Sequence, residues 1–204
     1  MTGANRQVRA IASLLSAITL CRLTFAAEQS TRVFILQDAL NKSWCAFISE
    51  SAWKAAARRT SPDFIVVADK SRGELSTIYI TSNSEDARTS DEYSIGPGGS
   101  LMALKRLTDD ITDRMTREQH WAIRRGRLYK TFEVWRQFDT NVRVKPAPER
   151  VSWLAEYPII HRLQDFPFAA LLSDKHAEVW QDGRRCVEGD VDVLYPAPPS
   201  AIKR

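Results

Sequence analysis

Between Asp63 and Phe138, short β-branched and aromatic runs alternate with glycine-containing turns, and this pattern leaves few folds open to the chain. Asp63 to Ala68 (DFIVVA) and Leu75 to Thr81 (LSTIYIT) flank a loop holding Gly73, which predicts a β-hairpin. Gln119 to Ile123 turns through Arg124, Arg125, Gly126 and Arg127 into Leu128 to Phe138, another clear hairpin and the third along the chain when the contested stretch between is counted. Period-two alternation puts Trp121 and Ile123 on one face. In the returning arm it groups Leu128, Phe132 and Val134, with Tyr129, Thr131, Glu133 and Trp135 opposite.

The stretch between these hairpins has two readings. Ser82 to Ser90 (SNSEDARTS) reads as a polar loop, and Tyr93 to Ile95 leads into the GPGG turn. Beyond it, Leu101, Leu104, Leu107, Ile111 and Met115 recur at helical spacing with Ser100 placed to cap. A tight turn between apolar runs argues instead for a hairpin. The turn context favours a strand to Arg106, then a turn or short helix over Asp109 to Arg117.

The flanks add helical signals. Ser43 to Glu50 (SWCAFISE) reads as a short strand, and Ser51 to Arg59 as a helix that Pro62 stops; Thr31 to Leu40 is ambiguous. Glu149–Tyr157, Pro158–Asp165 and Pro167–Asp174 read as short helices whose apolar sides cover the sheet. The fold class expected is therefore α+β: a predominantly antiparallel β-meander of hairpins with short helices packed on one face.

At 204 residues with six tryptophans, the chain is sized for one domain with a real core. Its first residues resemble an export leader: Arg6 and Arg9 in a polar start, an apolar run from Ala10 to Leu20, then small residues Thr24 and Ala26 before a cleavage point. That run is shorter than the roughly 20 residues a membrane-spanning helix needs. The expected layout is a signal peptide over 1–26, one antiparallel-sheet domain over 27–190 and a proline-rich tail over 191–204. The leader holds Arg6, Arg9 and Arg22 and no acid, so its removal takes the formal charge from +4 to about +1. That near-neutral balance argues against nucleic acid as a partner. A periplasmic or secreted bacterial protein is the expectation, with no membrane span in the mature chain.

Export changes the meaning of the cysteines. Cys21 leaves with the leader, and Cys45 and Cys186 are expected to form one disulfide in an oxidising compartment.

Chemical motifs are sparse. His120, His161 and His176 lack metal-site spacing, so neither metal nor cofactor is expected. His161 and Asp165, four apart, could share a helix face as a general-base pair. The Gly96 to Ser100 cluster lacks the lysine of a phosphate loop, and no G-x-S-x-G elbow occurs. The strongest surface candidate is the third hairpin, where Arg124, Arg125, Arg127 and Lys130 stand beside Trp121, Tyr129 and Trp135. Arginines beside aromatics suit anionic or aromatic partners through charge-assisted hydrogen bonds and cation–π contacts. The residues point to an exported non-enzymatic binding module acting through its open sheet face or hairpin tips. The alternative is a periplasmic hydrolase using a histidine–carboxylate pair.

Overall fold

The computed structural model of the chain describes residues 30–38, 40–83, 87–146, 159–173, 183–190 and 193–194. The leader 1–26, the helix expected over Glu149–Tyr157, His176 and the segment 195–204 lie outside these. The described strands are β1 (Ser30–Asp38), β2 (Ser43–Phe47), β3 (Phe64–Ser71), β4 (Glu74–Asn83), β5 (Ala87–Ile95), β6 (Leu101–Asp110), β7 (Met115–Arg124), β8 (Arg127–Gln137), β9 (Arg143–Val144) and β10 (Arg184–Glu188). The described helices are α1 (Glu50–Thr60) and α2 (Ala169–Leu172).

All the described strands join one antiparallel sheet in the order β10-β2-β1-β3-β4-β5-β6-β7-β8-β9. From β3 to β9 each strand pairs with the next, the meander expected of successive hairpins. Arg72 (φ 53°) with Gly73 (φ 81°), and Arg125 (φ 50°) with Gly126 (φ 71°), turn two of them. Two consecutive positive φ values make a tight turn whose twist matches that of the strands it joins.

Several local expectations change. Ser82–Ser90 is mostly strand: β4 runs through Asn83 and β5 begins at Ala87. Ser82 and Thr89 are buried, so polar side chains face inward where loop chemistry was expected. The stretch from Leu101 is strand as far as Asp110, four residues beyond Arg106, and of the turn or short helix expected next a turn over 111–114 leads into β7. Hydrogen-bonded neighbours on both sides, β5 and β7, outweigh the helical propensity of LMALKRL. The α1 cap is Ser49, whose hydroxyl accepts from Ala52 N at 3.2 Å, so the helix starts earlier than the sequence reading had it. Ile48 falls outside β2 and is exposed.

Cross-strand register defines two faces. The inner face carries the rows Val33–Ala68–Ile78–Tyr93–Leu104–Trp121 and Ile35–Val66–Ile80–Asp91–Arg106–Gln119. The apolar members of these rows bury with Trp44, Phe64 and Leu101 in one core cluster. Residues 159–172 cross this face. Ile160 N donates to the Tyr93 hydroxyl at 3.2 Å, Phe166 meets the Tyr93 ring edge-on at 5.1 Å, and Phe168 lies 5.1 Å from Trp44. Within this strap only a 3₁₀ turn at Leu163–Asp165 and the short α2 are helical.

The long helix sits on the other side. Trp53 of α1 packs on Phe34 at 5.2 Å and donates from Nε1 to the Ile35 carbonyl at 3.3 Å. Phe34 alternates with Ile35 and so belongs to the outer face. The described helices thus divide between the two faces, where one-sided cover had been expected. The β-rich antiparallel architecture stands; a single helical layer does not describe it.

Cys45 and Cys186 are disulfide-bonded and directly opposite each other in the β2–β10 register. The bridge closes a span of 141 residues onto one ladder position. Just after β10, a Cβ at Gly189 would sit 2.6 Å from the Pro167 carbonyl oxygen, so glycine lets the chain pass close under the strap.

Candidate binding surface

The third hairpin does not present its aromatic and basic residues as one cluster. A register shift between His120 and Trp121 leaves Thr131 without an opposing residue, and this bulge resets the alternation of β8. Leu128, Lys130, Glu133 and Trp135 consequently face inward, while Tyr129, Phe132 and Val134 face outward. The sequence-based grouping of Leu128 with Phe132 and Val134 is therefore corrected. Of the candidates, Trp121, Lys130 and Trp135 belong to the inner face, Arg124, Arg127 and Tyr129 to the outer, and Arg125 to the turn.

Inward cations are matched by carboxylates. Asp91 accepts from Arg106 Nε and Nη2, each at 2.6 Å, a bidentate pair with Arg106 only 4% exposed. Arg106 Cζ lies 5.8 Å and Lys130 Nζ 5.9 Å from the Trp121 ring, and Arg117 Cζ lies 5.2 Å from the Trp135 ring. Glu133 accepts from Arg117 Nε at 2.7 Å, Lys130 Nζ at 3.0 Å and Gln119 Nε2 at 3.3 Å. Burial pushes the Glu133 carboxyl up, and Lys130 and Arg117 more than offset it, leaving it below the usual carboxylate range. A cavity of about 20 Å³ adjoins the Asp91–Arg106 pair, lined also by Ser82 and Thr89. Thr89 Oγ1 is buried with no hydrogen-bond partner among the described residues, and that volume suits one water molecule. These inner contacts tie three cations to two carboxylates in a structural network.

The outer face differs. Ser94, Ala103 and Ala122 occupy consecutive cross-strand positions and form the low floor of a depression of about 290 Å³. Glu92, Lys105, His120 and Thr131 stand around it. Beside it, Phe132 lies 4.9 Å from the His120 ring and is 40% exposed, and Tyr129, opposite Ala122, is 49% exposed. Small side chains flanked by long ones create the hollow.

Glu118 is the polar hub of this face. It accepts from Arg136 Nη1 at 2.7 Å, contacts His120 Nε2 at 2.9 Å and has Lys105 Nζ at 3.6 Å. The Arg136 hydrogen bond, with that of His120, holds its carboxyl below the ordinary range. Sequence reasoning passed over this constellation. Its signal was present, because Glu118 and His120 are two apart in a strand and so share a face.

The expected His161–Asp165 pair does not form. Residues 159–161 form no regular structure and only a 3₁₀ turn follows at Leu163–Asp165, so four-residue spacing does not bring the two side chains together. Asp165 Oδ2 accepts from Arg162 Nε at 2.8 Å, and His161 Nδ1 lies 3.1 Å from the Gly126 carbonyl oxygen. Gly96–Ser100 forms a 3₁₀ turn running into β6, so no helix N-terminus stands there to receive an anion. Comparison with protein-family models, with curated proteins and with solved structures gives no match for this chain.

Proposed function

We propose that this chain is an exported, non-enzymatic module that binds its partner on the outer face of β5 to β8. The observation that carries the reading is the alanine-floored depression, walled by His120, Lys105 and Glu92 and flanked by the exposed rings of Phe132 and Tyr129. A hollow with an apolar floor and a few polar groups at its rim is the usual form of a recognition site. Export is supported by the signal-like first residues and by a disulfide, which persists in oxidising compartments.

The test is an NMR titration of labelled protein with 2-naphthoate, an aromatic carboxylate small enough for the hollow. Saturable shifts at Ala103, His120 and Ala122, abolished by Ala122→Trp, are expected. Shifts that ignore the substitution, or none at these positions, refute the site.

A second reading keeps the hydrolase and moves it to His120 and Glu118, whose 2.9 Å contact borders the same hollow as Ser94 and Thr131. Against it, Arg136 and Lys105 already share the Glu118 carboxylate, which weakens its hold on an imidazolium. Cleavage of p-nitrophenyl acetate that disappears in His120→Ala would favour catalysis over binding.

A further inference from the structure

Resting on that binding reading, we infer that the partner is an acidic protein segment. It lays carboxylates on Arg124 and Arg127 and sets one apolar side chain in the adjoining hollow.

Charge matching supplies the first element. In β6 to β8 and their connecting turns, Lys105, Arg106, Arg114, Arg117, Lys130 and Arg136 each lie within salt-bridge distance of a carboxylate. Arg125, exposed at the turn, has no ion-pair partner among the described residues, and neither have the strand residues Arg124 and Arg127. Arg124 and Arg127 are exposed and face each other across β7 and β8. Like charges directly opposite are unfavourable, so an anion bridging them removes a repulsion as well as adding an attraction.

Position supplies the second element. Arg124 lies two residues beyond Ala122 on the same face, roughly 7 Å along the strand. Tyr129, opposite Ala122, borders both the arginine pair and the hollow. Rigidity supplies the third. The tight turn at Arg125 and Gly126 and the His161 contact to the Gly126 carbonyl brace the tip, so little ordering is required on binding. An anionic bilayer would satisfy the arginines alone. The hollow is recessed on the sheet face behind them, with Glu92 on its rim, so a flat anionic surface would leave it empty.

The experiment measures binding of a short capped peptide carrying acidic side chains on both sides of one phenylalanine, by fluorescence anisotropy with intact protein. Comparison probes are the amide version of the peptide, a phenylalanine-to-alanine version and phosphatidylglycerol vesicles. We expect saturable binding that weakens with salt and falls about tenfold or more in the Arg124→Glu, Arg127→Glu double variant. Ala122→Trp and the alanine peptide should weaken it as well. Circular dichroism of each variant verifies folding, and Arg124→Gln with Arg127→Gln gives a milder second pair.

Equal binding of the acidic and amide peptides overturns the acidic partner while leaving the hollow as a site. Binding of vesicles but not of peptide overturns it in favour of a lipid surface. If neither peptide binds, 2-naphthoate separates the failures: shifts at the hollow sink only this inference, and their absence sinks the binding reading too.

Discussion

Removing the Asp91 carboxylate should be the most damaging single polar substitution on the inner face. Asp91 receives two hydrogen bonds of 2.6 Å from Arg106, which is 4% exposed in the middle of the sheet. In Asp91→Ala the guanidinium stays buried without its bidentate acceptor. Breaking a buried pair from one side costs about 3–5 kcal/mol, against a total stability of about 5–15 kcal/mol for a domain. The cavity of about 20 Å³ beside the pair admits a water, which moves the expectation to the lower end of that range. The double variant Asp91→Leu, Arg106→Met removes both charges and should recover most of the loss, because apolar replacement of a buried pair is often neutral or stabilising. Urea unfolding followed by tryptophan fluorescence suits the question, since Trp121 lies beside Arg106. An Asp91→Ala variant within about 1 kcal/mol of the parent, or a double variant as unstable as the single, would show that the buried pair does not carry this energy.

Further outcomes follow from other contacts. Tyr93→Phe leaves the Ile160 N–H without its acceptor and should cost about 1–3 kcal/mol, with faster hydrogen exchange at Ile160 than in β6; unchanged exchange would show that the strap does not depend on this bond. Joint replacement of Cys45 and Cys186 by alanine should lower stability by roughly 4–5 kcal/mol in the chain-entropy model, since the bridge spans 141 residues; an unchanged urea midpoint would count against the staple. Glu118 and Glu133 have lowered folded pKa values, so their stabilisation is complete above the unfolded carboxyl range near pH 4.3 and is lost as pH falls through the folded values. Glu118→Gln with Glu133→Gln should therefore flatten the acid limb of a stability–pH curve, and an equally steep limb would rule these groups out as its source.

The first hairpin was legible because every local signal agreed: β-branched arms, alternation and a glycine turn pointed the same way. The cysteine pairing was legible from cysteine count, given the expectation that Cys21 leaves with a leader. Strand β6 was only half legible, because LMALKRL has helical propensity and its strand state is imposed by hydrogen-bonded neighbours on both sides. Ser82 to Ser90 misled for a related reason. Polarity reads as solvent exposure, yet in this sheet Ser82 and Thr89 are buried on the inner face, beside the Asp91–Arg106 pair.

The candidate surface depended even more on tertiary structure. Composition marked the third hairpin as basic and aromatic, and it could not say which residues share a face. One unpaired residue, Thr131, reverses the pleat of β8, separating Trp121, Lys130 and Trp135 from Arg124, Arg127 and Tyr129. The hollow itself exists because Ala103 and Ala122, far apart in sequence, become opposite neighbours in register. By itself the sequence determined an antiparallel meander, its tight turns and the cysteines able to bridge it, since these follow from local propensity and spacing. Register, bulge and burial decided which of the described cations lie against carboxylates and which do not, because those are properties of pairing between strands and not of any one strand.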